Sequence, residues 1–172
     1  MVNTVDIKVG KVIRAWIVES TGSDTITVDK KSNLWGLVKQ NLDLLPADYE
    51  VIQDRSEYIS IALLAHGSDT KKFDAELNKT IEVNTVYRCY ISERGQASIA
   101  RFFENQLRSS FIVFMVARFS DDSGNEKIVH AITAFLQEYN LPINSKILSR
   151  LMKYWYRYRV NFSENNKLPI FF

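Results

Sequence analysis

Residues 144–161, NSKILSRLMKYWYRYRVN, decide how the C-terminal half of this chain is built, because they sort into two faces at a helical period. At about 100° per residue, Lys146, Arg150, Lys153 and Arg157 recur at i, i+4, i+7 and i+11 and form one basic stripe. Ile147, Leu148, Leu151, Trp155, Tyr158 and Phe162 fall on the opposite side. The spacing predicts an amphipathic helix capped by Asn144 or Ser145. Tyr154, Trp155, Tyr156 and Tyr158 run all round it, which predicts that more than one face is covered.

Working upstream, Asn140-Leu141-Pro142-Ile143 predicts a turn, since Asn tolerates the left-handed conformation a helix end often needs and Pro cannot continue a helix. Ser123-Gly124-Asn125-Glu126 has the S-x-x-E form of a capping box, and Ile128, Ile132, Phe135, Leu136 and Tyr139 give the helix after it an apolar face. Two helices, a short turn and a basic second helix make a helix-turn-helix outline, although the spacing from Asn140 to Ile147 is one residue longer than the compact DNA-reading motif. Further back, Ile99, Phe103, Leu107, Phe111, Phe114 and Met115 keep helical spacing, which predicts one long helix from Gln96 to about Phe119. The alternative is a helix ending near Ser109-Ser110 followed by a buried strand over 111–117.

The N-terminal part reads differently. Residues 5–18 are rich in β-branched side chains and predict a strand bent at Gly10, returning through the turn at 20–24 into a strand over 25–28. Ser32 is placed to cap a helix over 33–45 that Pro46 ends. Two more strand pairs are expected, over 49–53 with 57–65, the second central, and over 73–77 with 80–92. The fold class is therefore α+β: a β-rich part over 1–95 with one inserted helix, then a helical part over 96–172, sharing one core.

Composition sets the outer limits. Of 172 residues, 46% are hydrophobic and 24% charged, enough apolar surface for a folded core. Lys and Arg number 12 against 14 Asp and Glu in 1–95, but 10 against 6 in 96–172, so positive charge gathers at the end and suggests an anionic partner there. The single Cys89 excludes an internal disulfide and fits a reducing compartment. No secretory h-region opens the chain and no apolar run approaches the roughly 20 residues that span a bilayer, so a cytoplasmic or particle-borne protein with no membrane partner is expected.

Chemistry finds little footing. G-x-S-x-G, Walker and G-x-G-x-x-G patterns are lacking, and His66, His130 and Cys89 stand too far apart in sequence for a recognisable metal-ligand spacing, so neither a cofactor nor a metal is expected. His66-Gly67-Ser68-Asp69 reads as loop chemistry rather than a catalytic group, and Asp121, Asp122 and Glu126 as acids favoured at a helix N-terminus. The chain ends in Leu168-Pro169-Ile170-Phe171-Phe172, an apolar tail expected to dock on its own core or on another subunit. The leading expectation is a non-enzymatic interaction or structural component of a bacterial or bacteriophage assembly, with Trp155, Tyr158, Ile170, Phe171 and Phe172 at protein contacts. The alternative is a nucleic-acid-binding or regulatory module that sets Lys146, Arg150, Lys153 and Arg157 against phosphates.

Overall fold

A computed structural model of the chain describes residues 3–45, 52–63, 71–74, 79–82, 89–120 and 127–166. In order, these form β1 (Asn3–Lys8), α1 (Lys11–Thr21), β2 (Thr25–Thr27), α2 (Asn33–Asn41), β3 (Leu42–Leu44), β4 (Tyr58–Leu63), β5 (Lys71–Asp74), β6 (Lys79–Glu82), β7 (Cys89–Ile91), α3 (Glu93–Ser120), α4 (Ile128–Glu138) and α5 (Ser145–Asn166). The fold is α+β, with small sheets in the N-terminal region and helices beyond. Two compact units divide within α3, one over Met1–Phe102 and one over Phe103–Phe172.

In the first unit, β4 is the middle strand of three, antiparallel to β1 and parallel to β2. Its central position explains its composition: Ile59, Ser60, Ile61 and Ala62 are all buried, because a strand with neighbours on both edges and covered faces leaves no side for water. Residues 5–18 do not form one bent strand. Gly10 takes φ +83°, a left-handed value that costs a side chain dearly, and beyond it Ile13, Trp16 and Ile17 bury one face of α1. The β-branched residues there follow a helical burial pattern, and tertiary packing overrides their weak strand preference. Gly22, at φ +73°, closes the helix by donating its N–H to the Val18 carbonyl.

The expected hairpin of residues 5–18 with 25–28 is therefore absent: β2 pairs with β4, and β1 takes the other edge of β4. Ser32 does cap α2, its hydroxyl accepting from the Trp35 N–H at 3.1 Å. That helix stops at Asn41 rather than continuing to Leu45, because Leu42–Leu44 pairs antiparallel with Cys89–Ile91. Residues 52 and 53 are not in a strand, and 49–51 and Pro46 lie outside the described residues. β5 and β6 form an antiparallel pair that overlaps the third expected strand pair, 75–77 and 83–88 lie outside the described residues, and 80–92 contributes to two strands, β6 and β7.

Polar side chains tie distant segments of this unit together. Arg55 grips both carboxylate oxygens of Asp6 at 3.2 and 2.9 Å, and the buried Ser60 hydroxyl donates to Asp6 at 2.7 Å. Arg14 on α1 reaches the Tyr58 carbonyl at 3.1 Å and Asp24 at 3.1 Å. Gln96, on the first turn of α3, accepts from the Lys8 N–H and donates to the Ile91 carbonyl, joining the ends of β1 and β7.

The second unit is helical. α3 is continuous through 111–117, which settles the strand alternative: Leu107, Phe111 and Met115 are buried at helical spacing, and the run is apolar on both sides of the helix rather than on the two faces of a strand. The Phe135 ring of α4 lies at the centre of the core, 5.2 Å from Phe111 and 5.3 Å from Phe114 in edge-to-face geometry. α4 begins at Ile128, and the capping-box residues 123–126 lie outside the described residues.

Candidate functional site

The junction before α5 is fixed by local chemistry that its sequence announced. Asn140 takes φ +48°, its N–H donates to the Gln137 carbonyl, and the Leu141 N–H reaches back to Leu136 at 2.7 Å. This is the reversed closure that a left-handed residue permits at a helix end. Asn144 then caps α5, its side-chain oxygen accepting from the Ile147 N–H at 3.0 Å. Between Glu138 and Ser145 lie six residues, more than the three or four of a DNA-reading helix-turn-helix, so the two helices form an αα-hairpin.

Ile147, Leu151 and Trp155 are buried, as the apolar side of α5 requires. Towards the C-terminal end the same side becomes an aromatic ladder. Phe119 of α3 stacks on Trp155 with centroids 5.6 Å apart, Trp155 on Tyr158 at 5.7 Å, and Tyr158 on Phe162 at 5.9 Å. Exposure rises along it, from 6% at Trp155 to 46% at Phe162. Trp155 is buried within this unit, while Tyr158 is half-buried. The Trp155 indole Nε1 is buried without a hydrogen-bond partner among the described residues. Ile170, Phe171 and Phe172 lie outside the described residues.

The basic stripe is divided. Arg150 is engaged within the unit: its guanidinium bonds the Glu104 carboxylate of α3, its Nε donates to the Tyr154 hydroxyl at 2.9 Å, and that hydroxyl donates to Glu104 at 2.9 Å. Arg108, one turn along α3 from Glu104, lies over the Tyr154 ring at 5.2 Å from its centroid. Burial pulls the Arg150 pKa down, but the bonds to Tyr154 and Glu104 outweigh it and the net direction is upward, so the group is permanently charged. Lys146, Lys153 and Arg157 remain exposed, with no salt-bridge partner among the described residues. Tyr154 stands at i+4 from Arg150, a neighbour that the helical spacing supplies, but nothing in the sequence marked Glu104 as a partner. Glu104 is separated from Arg150 by 46 residues, and only the packing of α3 on α5 brings them together.

A groove runs beside this cluster, with a volume of about 740 Å³. Ile112, Val113, Val116 and Ala117 of α3 form its floor, Tyr158 of α5 one wall, and Arg108 is its one charged lining residue. These α3 positions lie on the side away from Leu107, Phe111 and Met115, and Val113 is 68% exposed.

Elsewhere, no group of His, Cys, Asp and Glu able to hold a metal ion occurs among the described residues. His66, Ser68 and Asp69, like Asp121, Asp122 and Glu126, lie outside them; His130 is exposed and Cys89 half-buried on β7. No described helix is long and apolar enough to cross a membrane.

Fold and site together define an α+β protein whose helical unit carries a basic, aromatic surface helix beside an apolar groove. Comparison with known proteins finds no family model that matches the chain, no similar curated protein and no similar solved structure.

Proposed function

We propose that this chain is a non-enzymatic interaction component of a multi-chain assembly, and that its helical unit makes the contacts. One observation carries the reading: of the eight large apolar side chains exposed among the described residues, seven lie in the helical unit, Leu44 being the exception. Val113, Tyr156, Val160 and Phe162 share their helices with exposed cations, and aromatic and apolar anchors ringed by charge are the composition of a protein interface. Light scattering on the eluting peak of a sizing column tests it. A discrete oligomer at low and high salt, unchanged by a mixed-sequence DNA duplex, is the expected result.

A second reading, binding of nucleic acid or another polyanion, is favoured by the exposure of Lys146, Lys153 and Arg157 along one side of α5. With Arg150 held by Glu104, three cations remain on that stripe, so duplex affinity would fall with salt at a log–log slope of about −2.7. A monomer that moves onto DNA only at low salt, with that slope, would replace the first reading by the second.

A further inference from the structure

The run Phe111-Ile112-Val113-Phe114-Met115-Val116-Ala117 is apolar all round α3, yet this unit's core uses one side of it. A helix that is apolar on every side is ordinarily covered on every side. Here the second side, carrying Val113 and Ala117, is the exposed floor of the groove beside Tyr158. The groove has the length of about three helical turns, from Asn105 to Ala117, and it is open along that length. Its polar α3 residues, Asn105, Arg108 and Ser109, stand at one end, and the floor from Ile112 to Ala117 is an open apolar strip, which suits an elongated occupant rather than a small molecule that a pocket would enclose.

Charge selects the occupant. No acidic residue lines the groove among the described residues; Arg108 stands at one end, and Arg157 adjoins Tyr158 in sequence, exposed on the stripe with Lys153. A second copy presenting the same surface would set cation against cation. We infer that the α3–Tyr158 groove receives an amphipathic helix of a partner protein, with apolar residues at i, i+3, i+4 and i+7 against Ile112, Val113 and Ala117 and with carboxylates along its edges facing Arg108 and Arg157. The inference rests on the assembly reading above and names the site and the chemistry of the partner.

The test is selection of a phage-displayed random peptide library on the full-length chain, with fluorescence anisotropy of the enriched peptides. Val113→Glu is the main variant, since a side chain this exposed can be replaced without disturbing the core, and circular dichroism verifies its fold; Leu44→Glu on β3, 48% exposed and outside the helical unit, is the control. Enriched peptides should carry helical apolar spacing and net negative charge, lose affinity by at least about tenfold on Val113→Glu, and keep it on Leu44→Glu. Absence of enrichment, basic or non-helical peptides, or binding that survives Val113→Glu overturns the inference. Light scattering of the same proteins separates this from the broader reading: an oligomer of the chain itself that Val113→Glu dissociates would put a second copy in the groove, overturning the partner helix while leaving the assembly reading in place.

Discussion

The two units are held together by different chemistry. In the first, polar side chains bridge segments far apart in sequence: Arg55 to Asp6, Arg14 to Asp24 and the Tyr58 carbonyl, Gln96 to the ends of β1 and β7. In the second, rings meet rings across helices, and one polar cluster, Glu104 with Arg150 and Tyr154, sits half-exposed at the edge. The first unit leaves one large apolar side chain exposed among its described residues, the second leaves seven. In the first unit sheet and helix cover nearly all the apolar side chains described, Leu44 excepted. The helices of the second leave surplus apolar surface, which is what the proposed partner would use.

The largest expected effect tests whether the aromatic core belongs to the helical unit. Phe135→Ala removes a fully buried ring that touches Phe111, Phe114 and Tyr139, and should cost about 3–5 kcal/mol. Hydrogen exchange should place the loss in the amides of α4 and α5 while β4 keeps its protection. Equal loss in β4 would merge the two units into one cooperative core.

Gly95→Ala is the counterpart in the first unit. A Cβ there would stand 2.6 Å from the Asn41 Cβ and 2.7 Å from the Ile91 Cγ2, and the Asn41 atom cannot move without α2. Urea denaturation should register about 1–3 kcal/mol of destabilisation from this overpacking. A neutral result would mean that α2 shifts freely against α3.

Next come the polar clusters. Ser60→Ala withdraws a buried hydroxyl from Asp6 and Arg55 and should cost about 1–2 kcal/mol, whereas Tyr154→Phe, at a half-exposed cluster, should cost less, about 0.5–1 kcal/mol. The reverse order, measured by the same denaturation, would contradict the contrast between a unit specified by polar bonds and one held by apolar packing.

The smallest effect is on acid stability. The Asp54 carboxylate accepts from the Ser56 N–H at 2.9 Å, and that bond, with a further one from the Ser56 side chain, holds its pKa below the ordinary 3.8. Because the folded value is depressed, the contribution is fully present above pH 3.8 and fades as pH falls through the lower folded value. Asp54→Ala should therefore leave the stability of both units nearly unchanged and slightly flatten its dependence on pH in acid. A large change at pH 7 would show that this turn organises the approach to β4.

Local signals sufficed for α5 and the turn before it, and for the start of α2, while 111–117 stayed open between helix and strand until the structure closed the question. The cap at Asn144, the left-handed Asn140 and, in the first unit, the cap at Ser32 all act within a turn or two of chain. Of the basic stripe, the sequence placed all four cations on one side of α5, and this is where three of them remain exposed. What tertiary structure decided depends on partners remote in sequence. Val12 to Val18 could have been strand or helix until β4 and its neighbours gave α1 a surface to pack on; Leu42 to Leu44 left the helical pattern only because β7, 45 residues on, supplied hydrogen bonds. Arg150 is bonded by a distant Glu104, and Trp155 is stacked under Phe119 of α3. Local periodicity fixes which side of a helix is apolar, but whether that side meets its own core or stays open is set by what the rest of the chain brings against it.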